Sequence, residues 1–168
     1  MKKNLLLLFI FYFTLIISSH GAGSGAGDKD SDTASIKSIN YKRGVSLIKK
    51  GKKLEKKGKI EKAKQRFNKA LKYLIIANDK NPDQPDILNY LGFAFRKTGD
   101  FIMAEVYYSQ GLAIDPNHIG INEYLGELYI ETNRIDLAKE RLSVLKNCNC
   151  EEYKELKEII EGKKQSKY

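Results

Sequence analysis

Two seven-residue stretches, Asn89-Tyr90-Leu91-Gly92-Phe93-Ala94-Phe95 and Glu123-Tyr124-Leu125-Gly126-Glu127-Leu128-Tyr129, stand 34 residues apart. Ala104 and Ala138, then Tyr108 and Leu142, continue the match at the same offset. A fixed internal period narrows the fold sharply, because each unit leaves an apolar face that only its neighbours can cover. A weaker copy lies upstream, where Leu47, Gly51, Leu54, Gly58, Ile60, Ala63, Phe67 and Ala70 keep the spacing, with Lys50 at a position where the pattern expects Leu. Its second helix reads seven residues too long, running through Leu74 and Ala77 before Asn81-Pro82 stops it. Composition agrees with a helical reading, since 10 Tyr, 7 Phe and only 3 Pro accompany 30 Lys+Arg in 168 residues.

The repeated residues resemble the tetratricopeptide (TPR) repeat, whose pattern sets Leu-Gly, then an aromatic, Ala, a second aromatic and a closing Pro. Positions 85–118 fill it, departing at Gly111, where Ala is usual, and at Leu88, where Trp is common. Positions 119–152 follow until Cys150 stands in place of Pro. Gly at the eighth position and Ala at the twentieth let two helices approach, and the large residues fill the space between them. The resemblance implies an all-α fold, a right-handed superhelical solenoid of three TPR-like helix pairs over 40–162. A capping helix is expected over 150–161, with Asn149 and Glu152 as its capping box and Tyr153, Leu156, Ile159 and Ile160 as its apolar stripe. Gly162 ends it, and residues 163–168 are expected to be a frayed basic tail.

The first residues read as an address. Met1-Lys2-Lys3-Asn4 precedes 13 apolar or near-apolar residues, Leu5 to Ile17, and then a run of small residues. As a helix that run reaches about 20 Å, short of the ~30 Å hydrocarbon core, so a signal peptide over 1–21 cleaved near Gly21 is favoured over a permanent anchor. Residues 22–39 then read as a flexible leader rich in Gly, Ser and Asp. The address implies a periplasmic or secreted protein.

Cys148 and Cys150 leave four readings open: a local disulfide or quiescent thiols, an intermolecular bridge, a redox pair, and a metal site. Metal is disfavoured because one Cys pair and a lone mature His cannot readily complete a tetrahedral set. The ending Cys148-Asn149-Cys150-Glu151-Glu152-Tyr153 is similar to that of bacterial envelope TPR proteins that close on a Cys pair, Glu-Glu-Tyr and a short helix. His118, after Asp115-Pro116-Asn117, reads as a helix-entry residue. No nucleophile, paired carboxylate or phosphate-binding Gly loop forms a motif, so neither a catalytic residue nor a cofactor is expected.

Charge is unevenly spread. Lys42 to Lys72 carries 14 basic and 2 acidic residues, whereas Asp83 to Glu161 carries 8 basic and 15 acidic, a net +12 against −7. Such a bipolar chain suits head-to-tail association, an acidic protein partner, or contact with an anionic membrane surface, which is not required; a solvated lysine face needs no partner at all. Nucleic acid is not expected, because the basic stretch lacks interleaved aromatics.

The resemblance further implies that the first helix of each pair lines a concave groove. Those positions are Lys52, Glu55 and Lys56 in the first repeat, Asn89, Phe93, Arg96 and Lys97 in the second, and Glu123, Glu127, Ile130 and Glu131 in the third. Phe93 and Ile130 are expected as apolar anchors there, with Phe93 as a core residue the competing reading. The charge order from Lys and Arg to Glu would fix a ligand's direction. The combined expectation is an exported, non-catalytic adaptor that binds a protein or peptide segment. The alternatives are a membrane-associated assembly factor using the basic repeat and a thiol-exchange protein using Cys148 and Cys150.

Overall fold

The computed structural model describes residues 29–166. The expected signal peptide and cleavage site lie outside these residues. Seven helices follow in order: α1 (Lys29–Glu55), α2 (Ile60–Lys80), α3 (Pro85–Thr98), α4 (Phe101–Ile114), α5 (Ile119–Glu131), α6 (Ile135–Leu145) and α7 (Glu151–Ile160). They form the all-α solenoid of three helix pairs and a closing helix that the repeat implies.

The turn inside each pair falls at an equivalent place and needs left-handed backbone. Gly58 (φ 68°), Gly99 (φ 94°) and Asn133 (φ 58°) supply it, two glycines and an asparagine, whose short polar side chain tolerates this region. Between pairs, Pro85 opens α3 and the Asp115-Pro116-Asn117 turn leads into α5. His118 is the N-cap of α5, its Nδ1 accepting from the Ile121 amide at 3.2 Å, which is the helix-entry role its position suggests. Asp100 caps α4 in the same way, accepting from the Met103 amide at 3.1 Å.

Packing follows the repeat. Phe67, Leu74, Leu91 and Phe93 are sealed from water with Ala63, Ala70, Ala77 and Ala94, and a second cluster gathers Ala104, Tyr108, Ile121, Leu125 and Leu128. Each large side chain so buried stabilises the fold by about 1.5–3 kcal/mol. Gly51 faces the Phe67 ring and Gly92 the Tyr108 ring, each within its own pair. Gly126 instead faces Leu156 of α7, so the third repeat is closed by the cap. Gly111, which departs from the pattern, lies against the Ile121 side chain, which occupies the space an Ala methyl would need.

The first helices of the pairs touch in sequence, α1 to α3, α3 to α5 and α5 to α7. Among the described residues no close backbone approach joins α2 to α4 or α4 to α6. A layer that is continuous on one side and splayed on the other must curve toward the continuous side, so α1, α3, α5 and α7 form the inner layer. At 21 residues α2 exceeds α4 by two turns, the seven-residue excess legible in the sequence.

Three boundary expectations need correction. The leader assigned to 22–39 is helical from Lys29 onward, because no Gly or Pro between Lys29 and Arg43 stops α1 from propagating upstream. The Asn149–Glu152 capping box does not form: Asn149 adopts a left-handed φ of 49°, and Cys150, with no side-chain cap bond, is the N-cap of α7. The tail after Gly162 (φ 70°) is ordered through Ser166, held by ion pairs and hydrogen bonds to α5 and α7. No helix among the described residues is long and apolar enough to cross a membrane.

Candidate functional site on the inner helical layer

Helices α1, α3 and α5 align equivalent turns side by side, so residues one repeat apart in sequence become neighbours in space. Opposite charges on adjacent helices therefore meet. Arg96 Nη2 lies 2.6 Å from Glu127 Oε2 and 2.8 Å from Glu131 Oε1, while its Nε donates to Glu131 Oε2 at 3.0 Å. The Arg96 and Glu127 side chains are 1% and 3% exposed. One helix earlier, Lys97 Nζ sits 2.7 Å from Glu55 Oε1, tying α3 to α1.

Aromatic contacts run alongside this ladder. Phe93 stands between the Phe67 ring at 5.8 Å and the Tyr124 ring at 5.1 Å, and Lys52 Nζ lies 4.7 Å from its centroid while donating to the Tyr124 hydroxyl at 2.9 Å. Phe93 is 1% exposed. It is a core residue, and the expected groove anchor is corrected accordingly: alignment of the inner helices brings Tyr124 and Lys52 over the ring and leaves no face for a ligand.

Burial dominates the electrostatics. It lowers the Lys52 and Lys97 ammonium groups from their ordinary value, against the opposing pull of Glu123, Glu127 and Glu155 on the first and of Glu55 on the second. Burial works against the Arg96 cation too, but its hydrogen bond to Glu131 and the charge of Glu127 outweigh that penalty and hold it ionised. Glu123 is pushed up to about 8, by burial first and then by repulsion from Glu127, Glu155 and Glu152, with Lys52 partly offsetting them.

The structure thus brings ten of the eleven sequence-selected groove residues onto α1, α3 and α5, with Lys56 just past the end of α1, but in a different state from the one expected. Asn89, Arg96, Glu123 and Glu127 are buried, Lys52, Glu55, Lys97 and Ile130 are half-buried, and Lys56 and Glu131 are exposed. The expected charge gradient is largely cancelled by pairing between helices. An open cleft of about 640 Å³ remains at one end of the face, lined by Glu55, Lys97 and Glu131 together with Ile60, Lys64 and Phe101. Ser166 is also part of its wall, a residue that pattern reading left in a frayed tail.

Cys148 and Cys150 form a disulfide with Cα atoms 5.2 Å apart, enclosing Asn149 at the entry to α7. On the outer side, Arg134 forks onto Glu105 at 2.9 and 2.8 Å and lies over the Tyr129 ring at 4.5 Å, clamping α4 to the turn before α6. Nothing in the repeat pattern marked that clamp, since neither residue occupies a signature position.

Antiparallel helix pairs in a 34-residue register, with their first helices forming an unbroken inner layer, define a helical-repeat solenoid. A family model described as a tetratricopeptide repeat matches residues 95–160, from the end of α3 through α7. The structure of Pseudomonas aeruginosa PilF is similar with a TM-score of 0.55 at 18% identity, covering 77% of this chain and 52% of that one. The chain therefore spans about half the length of the PilF structure, and the likeness is one of fold. The first TPR of Spaghetti (RPAP3) bound to an HSP90 peptide has a TM-score of 0.47 at 22% identity, covering 72% of this chain and 93% of that one. The Yersinia enterocolitica type III secretion chaperone SycD, in complex with a peptide of the translocator YopD, has 0.47 at 17% identity, covering 80% and 90%. No curated protein matches the sequence.

Proposed function

We propose that this chain is an exported, non-catalytic adaptor that binds a segment of another protein along its inner helical face. The observation that carries the reading is the open cleft on which Glu55 of α1, Lys97 of α3 and Glu131 of α5 converge, offering a bound segment polar groups from each repeat beside apolar contact with Ile60 and Phe101. Such a surface suits an extended peptide, whose backbone and side chains need hydrogen-bond partners at intervals. Export rests on residues 1–21 of the sequence, which read as a secretory signal and support a periplasmic or secreted adaptor.

In-cell crosslinking from a photoreactive residue at position 64, in the wall of the cleft, followed by mass spectrometry, tests the reading. The expected result is a small, reproducible partner set lost when the probe is moved to the outer face at position 139. Equal capture from both faces would overturn it. Intact-mass measurement on envelope fractions tests export, with a mature chain beginning near residue 22 as the expected outcome. A second reading, thiol exchange, is favoured only by the paired Cys148 and Cys150; a reduction potential in the range of structural disulfides, below about −300 mV, would dismiss it.

A further inference from the structure

Residues 163–166 lie against the chain's own inner face. After Gly162 the backbone turns, and Lys164 Nζ reaches Glu155 at 3.2 Å and Glu158 at 3.8 Å. Ser166 Oγ then accepts from Arg96 Nη2 at 2.8 Å and shares its proton between Glu127 Oε2 at 2.7 Å and Glu131 Oε1 at 3.0 Å. A single hydroxyl thus meets three charged groups, two of them on side chains almost wholly buried. The segment is thus held at two points, its cation on Glu155 and Glu158 of α7 and its hydroxyl among Arg96, Glu127 and Glu131 of α3 and α5.

We propose that the acidic end of the inner face is a recognition site for extended segments carrying lysine and serine two residues apart, and that residues 163–166 occupy it as an internal ligand which a partner segment displaces. This deepens the adaptor reading and rests on it. Residues 163–166 bury no large apolar side chain, and ordering them costs backbone entropy. Its hold is therefore weak for a segment tethered at an effective concentration on the order of millimolar. A partner with the same two groups and additional contacts in the cleft beside Phe101 outcompetes it. The rival explanation, that the tail is a permanent part of the cap, predicts no exchange.

The test uses the mature chain and a fluorescent synthetic peptide with the sequence of residues 162–168, Gly-Lys-Lys-Gln-Ser-Lys-Tyr. In the double variant Lys164→Glu with Ser166→Glu, new carboxylates face Glu155, Glu127 and Glu131 and expel the tail. Lys164→Ala with Ser166→Ala serves as a second release without added charge. The peptide is expected to bind either released variant at least tenfold more tightly than the parent, and adding Glu131→Lys is expected to abolish that gain. Equal affinity for parent and released variants, including no binding to any, would overturn the proposal. Crosslinking from position 64 at the cleft separates the two readings: a partner set equally abundant with parent and released variants leaves the adaptor standing and removes the internal ligand.

Discussion

Arg96 of α3 and Glu127 of α5 meet at 2.6 Å with both side chains closed off from water, 31 residues apart in sequence. Once two such charges are desolvated, neither tolerates the loss of the other. Arg96→Ala is expected to destabilise the fold by ~3–5 kcal/mol, read as a lowered urea midpoint. The paired change Arg96→Met with Glu127→Leu is expected to recover most of that loss, because it removes both buried charges and leaves only Glu131, which is exposed to water, without its partner. A paired variant as unstable as the single one would show that the two residues do not act together.

Gly126 faces Leu156 with no room for a Cβ, which makes the cap's attachment testable from both sides. Gly126→Ala is expected to lower stability by about 1–3 kcal/mol through overpacking. Leu156→Ala opens a cavity and is expected to cost ~2–5 kcal/mol. Combined, the two should cost less than the sum, since the new methyl enters the space the leucine vacates, and chemical denaturation of all four proteins measures that coupling.

Phe93→Ala is expected to cost ~3–5 kcal/mol, as an aromatic removed from between Phe67 and Tyr124 leaves a cavity and exposes the Lys52 contact. A thermal melt unchanged from the parent would mean that the ring does not hold the helices together.

Glu123 gives the fold a pH dependence of definite sign. Its folded-state pKa of about 8 exceeds the ordinary carboxyl value of 4.5, so between these limits the folded chain holds a proton that the unfolded chain releases. Its contribution is complete below about pH 4.5 and is lost as pH rises through 8. Glu123→Gln mimics the protonated group. The variant is expected to match the parent near pH 5 and to exceed it by a few kcal/mol at pH 9, a difference that denaturation at the two pH values measures.

The fold was legible because a repeat writes its own register. Leu91 and Leu125, Gly92 and Gly126, and Ala104 and Ala138 recur at a spacing that only stacked helix pairs explain, and α2's extra two turns showed as a continued apolar period before Pro82. The site was legible in position but not in state. Pattern placed Phe93 and Arg96 on the inner surface, yet could not show that Tyr124 would cover the ring or that Glu127 would neutralise the guanidinium, because both contacts depend on the sideways spacing of helices a whole repeat apart. Asn149 failed as a cap for a related reason: the bridge between Cys148 and Cys150 sets the backbone at the residue between them, and a local capping signature carries no information about a cross-link. Ser166 had no signal at all, since a single hydroxyl in a lysine-rich end looks the same whether docked or free.

The rungs formed by Lys97 with Glu55 and by Arg96 with Glu127 and Glu131 have a mechanical consequence. A stack of helix pairs flexes like a coil spring, its inner circumference lengthening as it opens. These short struts sit on that circumference and join three successive turns, so stretching them would separate desolvated charges. The coil is braced against opening where it would otherwise be softest, and its compliance is left to the outer rim, where α2, α4 and α6 stand apart.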